Sequence, residues 1–208
     1  MTTHREQQYQ RSVEAFTRLV VPVLSRHWSV TFEVADQGAG VGRLMDRAAG
    51  IDAAYTDQAG RVWGMAYRMR WIRQGYGPWN TFTIRKWVAS GAATEWDKRV
   101  AAVRSMSLKP DYTLQANVDA ELDVLVNAAV VRTSDLYQWA LANPDRMTLR
   151  VNYDGKSSFH SVDWSTLEAA GVPIERLTFW DGYLARRKQP PDMRPQMRLF
   201  ADDTPKRQ

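Results

Sequence analysis

Two stretches of alternating side chains, Ile51–Thr56 and Val62–Trp71, are separated only by Asp57-Gln-Ala-Gly60. Two strands joined by so short a turn read as a β-hairpin. Because side chains alternate along a strand, Arg68 and Arg70 share one face of its second arm. A turn over 75–78 leads to Trp79–Trp87, rich in aromatic and β-branched residues, which reads as a third strand.

Helical signals surround these strands. Thr3 and Glu6 have capping-box spacing, and Tyr9, Val13, Phe16, Leu19, Val20 and Val23 follow at helical period. A first helix is expected over about 4–26, bent at Pro22. Ser29–Ala35 reads as a short strand, and Leu44–Ala48 as a short helix or a loop. Thr94 and Asp97 form a second capping signature for a helix carried on by Ala101, Val103 and Met106. Tyr112–Val118 and Leu122–Arg132 read as strands, and Ser134 as the cap of a helix that stops at Asn143-Pro144. Met147–Tyr153 and Ser158–Val162 suggest a hairpin around Asp154-Gly155. Ser165 and Glu168 read as the cap of a short helix ending at Gly171, and residues 174–185 fit either helix or strand. This order predicts an α/β domain over 1–183, with a mixed central β-sheet flanked by helices.

Composition narrows the function. The chain has no cysteine, which removes disulfides, thiol nucleophiles and thiolate zinc sites. His4, His27 and His160 are far apart, which argues against a zinc hydrolase or a histidine triad. The longest apolar runs, such as Leu19–Leu24, are too short to span a membrane, and the N-terminus lacks the apolar run of a signal peptide. A cytoplasmic location is expected.

The formal net charge is +5, from 28 Lys and Arg against 23 Asp and Glu. Most of it belongs to residues 184–208, where seven basic residues face three acids, and residues 1–183 are nearly neutral. That tail holds four of the nine prolines and few large apolar residues, so a flexible, largely disordered segment is expected. Within the body, Gln58–Thr94 contains no Asp or Glu but carries Arg61, Arg68, Arg70, Arg73, Arg85 and Lys86. Tyr67, Trp71, Tyr76, Trp79, Phe82 and Trp87 interleave with them. Such a stretch can track phosphates and stack on bases, with Arg68, Arg70, Arg73, Arg85, Lys86, Trp71 and Trp79 as contacts. It is equally a half-buried hairpin with aromatics inward and arginines outward.

Gly38-Ala-Gly40-Val-Gly42, after a strand and an acid, resembles the first motif of S-adenosylmethionine-dependent methyltransferases. Seven residues between Gly42 and Gly50 are too few for a parallel crossover, and a surface turn is the simpler reading.

The segment Leu44-Met-Asp-Arg-Ala-Ala-Gly-Ile-Asp52, followed by the hairpin, resembles the PD-(D/E)xK nuclease superfamily, which includes many restriction enzymes. The resemblance implies a restriction-endonuclease-like core of helix, hairpin, third strand, helix and further strand. It also implies Mg²⁺-dependent cleavage of DNA, or DNA binding by a relative that no longer cuts. Asp52 matches the strand aspartate, and Glu14 the acid on the first helix. The acid-x-lysine pair falls at Ala66 and Arg68, and an arginine cannot act as a proton acceptor. In some members that pair has migrated to the neighbouring helix, where Glu95 and Lys98 lie three residues apart on one face. The implied metal ligands are therefore Asp52 and Glu95, with Glu14 or Asp46, while Lys98 or Arg68 positions water or phosphate. An acid near a helix start is also what the helix dipole favours, so Glu95 and Asp97 have a purely structural explanation too. Gln115, mid-strand, must be hydrogen-bonded if buried, and would orient a site residue or a neighbouring main chain.

Gln196-Met-Arg-Leu-Phe200 resembles the peptide by which bacterial replication and repair proteins bind the sliding clamp. The resemblance implies that Leu199 and Phe200 fill an apolar pocket while Gln196 hydrogen-bonds beside it, on a tether that orders only when bound. A non-enzymatic phage or plasmid protein that engages host DNA machinery is the alternative this tail allows.

Overall fold

The computed structural model describes residues 4–34, 49–72, 77–179 and Tyr183, and the side chains of all but His4 and Arg5 among them. Asp46, Arg73, the glycine turn at 38–42 and the tail bearing Gln196, Leu199 and Phe200 lie outside the described residues.

The N-terminal helical segment runs as α1 (His4–Ala15), a π turn (Phe16–Val20) and α2 (Val21–Trp28). Pro22 stands in the first turn of α2, directly after the π turn, and has no N–H to donate back into that turn. Ser29, in the left-handed region at φ 54°, ends it. The buried stripe Phe16, Leu19, Val20 and Leu24 packs against Tyr55, Met65, Leu114 and Val130 of the sheet below. The Phe16 ring stacks on Tyr67 with centroids 3.8 Å apart.

That sheet has six strands in the order β1-β2-β3-β5-β6-β9. β1 (Thr31–Val34), β2 (Ala53–Thr56) and β3 (Val62–Ile72) are antiparallel neighbours. The antiparallel β1–β2 pair is not the parallel crossover that a methyltransferase motif requires. Asp57 ties the β2–β3 turn. It accepts from the Trp63 indole at 3.1 Å and from the N–H groups of Arg61 and Ala59 at 3.0 and 2.9 Å. These bonds, that from Trp63 first, hold its carboxyl down to about 2. β3 pairs in parallel with β5 (Tyr112–Asp119), which makes the sheet mixed. β6 (Val124–Arg132) and β9 (Ile174–Thr178) complete it in antiparallel fashion.

The crossover from β3 to β5 carries β4 (Thr81–Val88) and α3 (Glu95–Ser105). β4 forms where the sequence predicts a third strand, but it leaves the hairpin and joins a second sheet, β4-β8-β7. The reason is that β3 already pairs with β2 on one edge and β5 on the other. β4 instead lies over the face of the central sheet, held by polar groups. Arg68 donates to the Thr83 carbonyl at 2.8 Å, Arg70 to Thr81 Oγ1 at 3.0 Å, and Asn117 to the Trp79 carbonyl at 3.0 Å. β7 (Thr148–Val151) and β8 (Ser157–Asp163) form the expected hairpin, with Gly155 at φ 65°. α4 (Thr133–Ala142) and α5 (Trp164–Ala169) bury Leu136, Tyr137, Trp164 and Leu167 in a second core with Phe82 and Ile84.

Ser134 and Ser165 do not cap these two helices. Each helix starts directly from a strand end, and its N-cap residue, Arg132 or Asp163, makes no side-chain cap bond. Among the described residues no helix is long and apolar enough to cross a membrane.

The stacked, fully buried Phe16 carries the contact between the helical layer and the sheet. Phe16→Ala should cost about 3–5 kcal/mol, read as a lower urea midpoint. Thr17→Ala, at an exposed neighbour, should stay within about 0.5 kcal/mol.

Candidate functional site

Asp52 stands one residue before β2. Its N–H donates to the Met65 carbonyl at 2.9 Å, and its Oδ2 accepts from the Tyr67 N–H at 2.9 Å. Continuing the register Ala53–Met65 places Asp52 opposite Ala66. It therefore shares the face of β3 that carries Ala66, Arg68 and Arg70, away from Met65 and Tyr67 under the helical layer. On the same face, Arg68 lies beside Gln115 in the parallel β3–β5 pair.

α3 brings the second carboxylate. Thr94 and Asp97 form a reciprocal capping box that fixes the helix start. Glu95, the first residue of α3, turns toward β3. Its Oε2 accepts from Arg68 Nη2 at 2.7 Å and from the Arg85 N–H at 3.4 Å. Its Oε1 accepts from the Tyr137 hydroxyl at 3.4 Å. Burial, and then the negative charge of Glu95, push the Tyr137 phenol well above its usual range, so it remains a neutral donor. The dipole of α3 favours an acid at this position, and the three partners add a specific role for it.

Asp52, Arg68, Arg85, Glu95, Lys98 and Arg99 all line one cavity of about 620 Å³. Four of these are basic and two are carboxylates, so the cavity carries an excess of positive charge. Gln115 also lines it and is 2% exposed. Its Oε1 accepts from the Thr83 N–H at 2.9 Å and from Thr83 Oγ1 at 3.2 Å. The backbone donor settles the orientation of the amide. Nε2 is left as a buried donor without a protein partner among the described residues.

The remaining sequence candidates are distributed differently. Glu14 is exposed on α1, on the helical side of the sheet and away from the cavity. Trp71 also faces that side, with the Arg11 guanidinium 3.9 Å over its ring. Lys86 lies 4.7 Å over Trp96. Trp79 is 38% exposed, and the Arg70 guanidinium is 5.3 Å from its ring centroid. Among the described residues, no three His, Cys, Asp or Glu side chains come together as a metal cluster.

Arg99 is a site residue that sequence reasoning passes over. It is 4% exposed and donates to the carbonyls of Ala49 and Gly50, the latter at 2.6 Å. Gly50 has φ +57°, and a Cβ there would sit 2.6 Å from Arg99 Nη2. Only glycine allows this approach, which braces α3 against the segment that sets Asp52. The available signal is the spacing of four from Glu95 to Arg99, which puts both on one helix face.

Removing that brace strands two carbonyls. Arg99→Met should cost about 2–3 kcal/mol, and Gly50→Ala should also lower the urea midpoint. Lys98→Met, at the exposed neighbouring position, should change it by less than about 0.5 kcal/mol.

No family model matches this chain. No curated protein matches it either. Among solved structures the chain is similar to restriction endonuclease MspI in complex with its cognate DNA, at 10% identity and a TM-score of 0.33, over 64% of this chain and 70% of that one.

Proposed function

We propose that this protein binds DNA through the cavity between α3 and the β2–β3 hairpin, on a nuclease-like arrangement of elements. The observation that carries this reading is the convergence of Arg68, Arg85 and Lys98 on one cavity, from β3, β4 and α3. Guanidinium and ammonium groups donate charge-assisted hydrogen bonds to phosphate oxygens, and the Gln115 amide adds a neutral donor. Arg70 extends the charged face, with Trp79 beside it. Burial, together with Arg68 and Arg150, lowers the Arg70 pKa to about 10, so it stays charged at neutral pH.

A second reading, Mg²⁺-dependent phosphodiester hydrolysis, is favoured by Asp52 and Glu95 sharing the cavity. Mg²⁺ takes oxygen ligands and is often held by one or two carboxylates, so their number suffices. Their surroundings do not suit the ion. Glu95 is paired with Arg68, Asp52 accepts from a backbone amide, and Ala66 supplies no oxygen side chain. Binding without cleavage is the first reading for that reason.

DNA affinity, followed by fluorescence anisotropy, should fall steeply as salt rises. Arg85→Gln and Lys98→Gln should each weaken binding about five- to tenfold at low salt and flatten the log–log salt slope by about 1. Plasmid, branched and single-stranded DNA incubated with Mg²⁺ should stay intact. Cleavage lost in both Asp52→Ala and Glu95→Ala would establish the second reading, and absence of salt-sensitive binding would overturn the first.

We also propose a division of labour between a domain at 1–183 and a tether at 184–208, whose Gln196, Leu199 and Phe200 dock on a bacterial sliding clamp. Immobilised clamp should retain the wild-type chain and release Leu199→Ala/Phe200→Ala. Equal retention of the two proteins would sink the tail proposal. Retention without any DNA binding would favour a non-enzymatic partner of the replication machinery.

A further inference from the structure

Phe159 on β8 is out of place as a core residue. It is half-buried, yet it belongs to none of the three hydrophobic clusters. Its cross-strand neighbours are Arg85 on β4 and Arg150 on β7. The Arg68 and Arg85 guanidinium groups lie 5.4 and 5.6 Å from its ring centroid. Arg150 is exposed and pairs with no carboxylate among the described residues. An aromatic ring thus stands outside the apolar cores and inside a ring of arginines, on the side of the second sheet that faces the cavity.

We propose that Phe159 is a stacking platform for an unpaired base, that Arg150 and Arg85 hold the flanking phosphates, and that the ligand class is single-stranded nucleic acid. This rests on the DNA-binding reading above and narrows it. A base within a duplex offers only its edges in the grooves, whereas an unpaired base offers its face, which an aromatic side chain covers without regard to sequence. Arginines on both sides of the ring suit a strand that runs across it, because each nucleotide brings one phosphate. Phe159 and Arg150 lie outside the acid-free stretch and are not part of the hairpin, so they extend the site onto β7 and β8.

Anisotropy with labelled oligonucleotides of equal length, one single-stranded and one duplex, tests this. The wild-type chain should bind the single strand more tightly. Phe159→Leu should weaken single-strand binding about tenfold and leave the duplex unchanged. Phe159→Tyr, which keeps the ring, should bind as the wild type does. Arg150→Gln should weaken single-strand binding and lower its salt slope. If Phe159→Leu fails to fold by circular dichroism, the wild-type comparison and the tyrosine variant still decide. Equal affinity for the two forms, or an unchanged Phe159→Leu, overturns the single-strand assignment while leaving DNA binding intact. Binding to neither form overturns both.

Discussion

The guanidinium of Arg68 is the tie on which this arrangement depends. From β3 it reaches the Thr83 carbonyl and hydroxyl on β4 and the Glu95 carboxylate at the start of α3. One side chain thus joins the central sheet, the second sheet and the crossover helix. Both members of the ion pair are about one quarter exposed, at 27% and 24%. A pair in that setting is shielded from salt better than a surface pair, and Thr83, Tyr137 and the Arg85 amide add further hydrogen bonds to its two members. The planar fork of arginine is what permits this. Lysine carries its charge as a point and would not hold a carbonyl and a carboxylate in fixed directions.

The interior around this tie is unusually polar for a domain of two packed sheets. Gln115, Asn117 and Asn127 are all buried, and Asn117 donates to Asn127 Oδ1 at 2.6 Å while Asn127 donates to Asn80 Oδ1 at 2.7 Å. These amides carry the contact between the central sheet and the segment leading into β4, where apolar residues would ordinarily do so. Asparagine and glutamine bonds are directional, so they fix the offset of the two sheets as well as their separation. The cost shows at Gln115, whose Nε2 finds no partner among the described residues. A buried donor left unmade costs about 1–3 kcal/mol. That donor lies on the cavity wall.

Much of this was readable where the determinants are local. The hairpin around Asp57 follows from alternation and a short turn, and the start of α3 follows from Thr94 and Asp97. The same alternation separates Arg68 and Arg70 from Tyr67 and Trp71 on the two faces of β3. What the chain conceals is long-range. β4 takes β8 as its partner, and nothing near β4 encodes that choice beyond the occupied edges of β3. Phe159 and Arg150 reach the cavity side only through that pairing, and a lone phenylalanine among polar residues has no periodicity to mark it. Arg99 is hidden differently. A charged residue on a helix is expected in solvent, and only the tight approach to Gly50 turns it inward.

The arginine at position 68 therefore has two consequences that are linked. A guanidinium does not act as a proton acceptor toward an attacking water, so that position offers no acid–base chemistry. The same side chain supplies the fork that binds Glu95 and Thr83 together, and Glu95 is thereby drawn into a structural pair. A site that needs two carboxylates ready for a cation works best with little positive charge beside them. This cavity places four basic side chains around two carboxylates, with Arg70 and Arg150 beyond. In the DNA-binding reading proposed above, that charge balance suits a phosphate-bearing ligand.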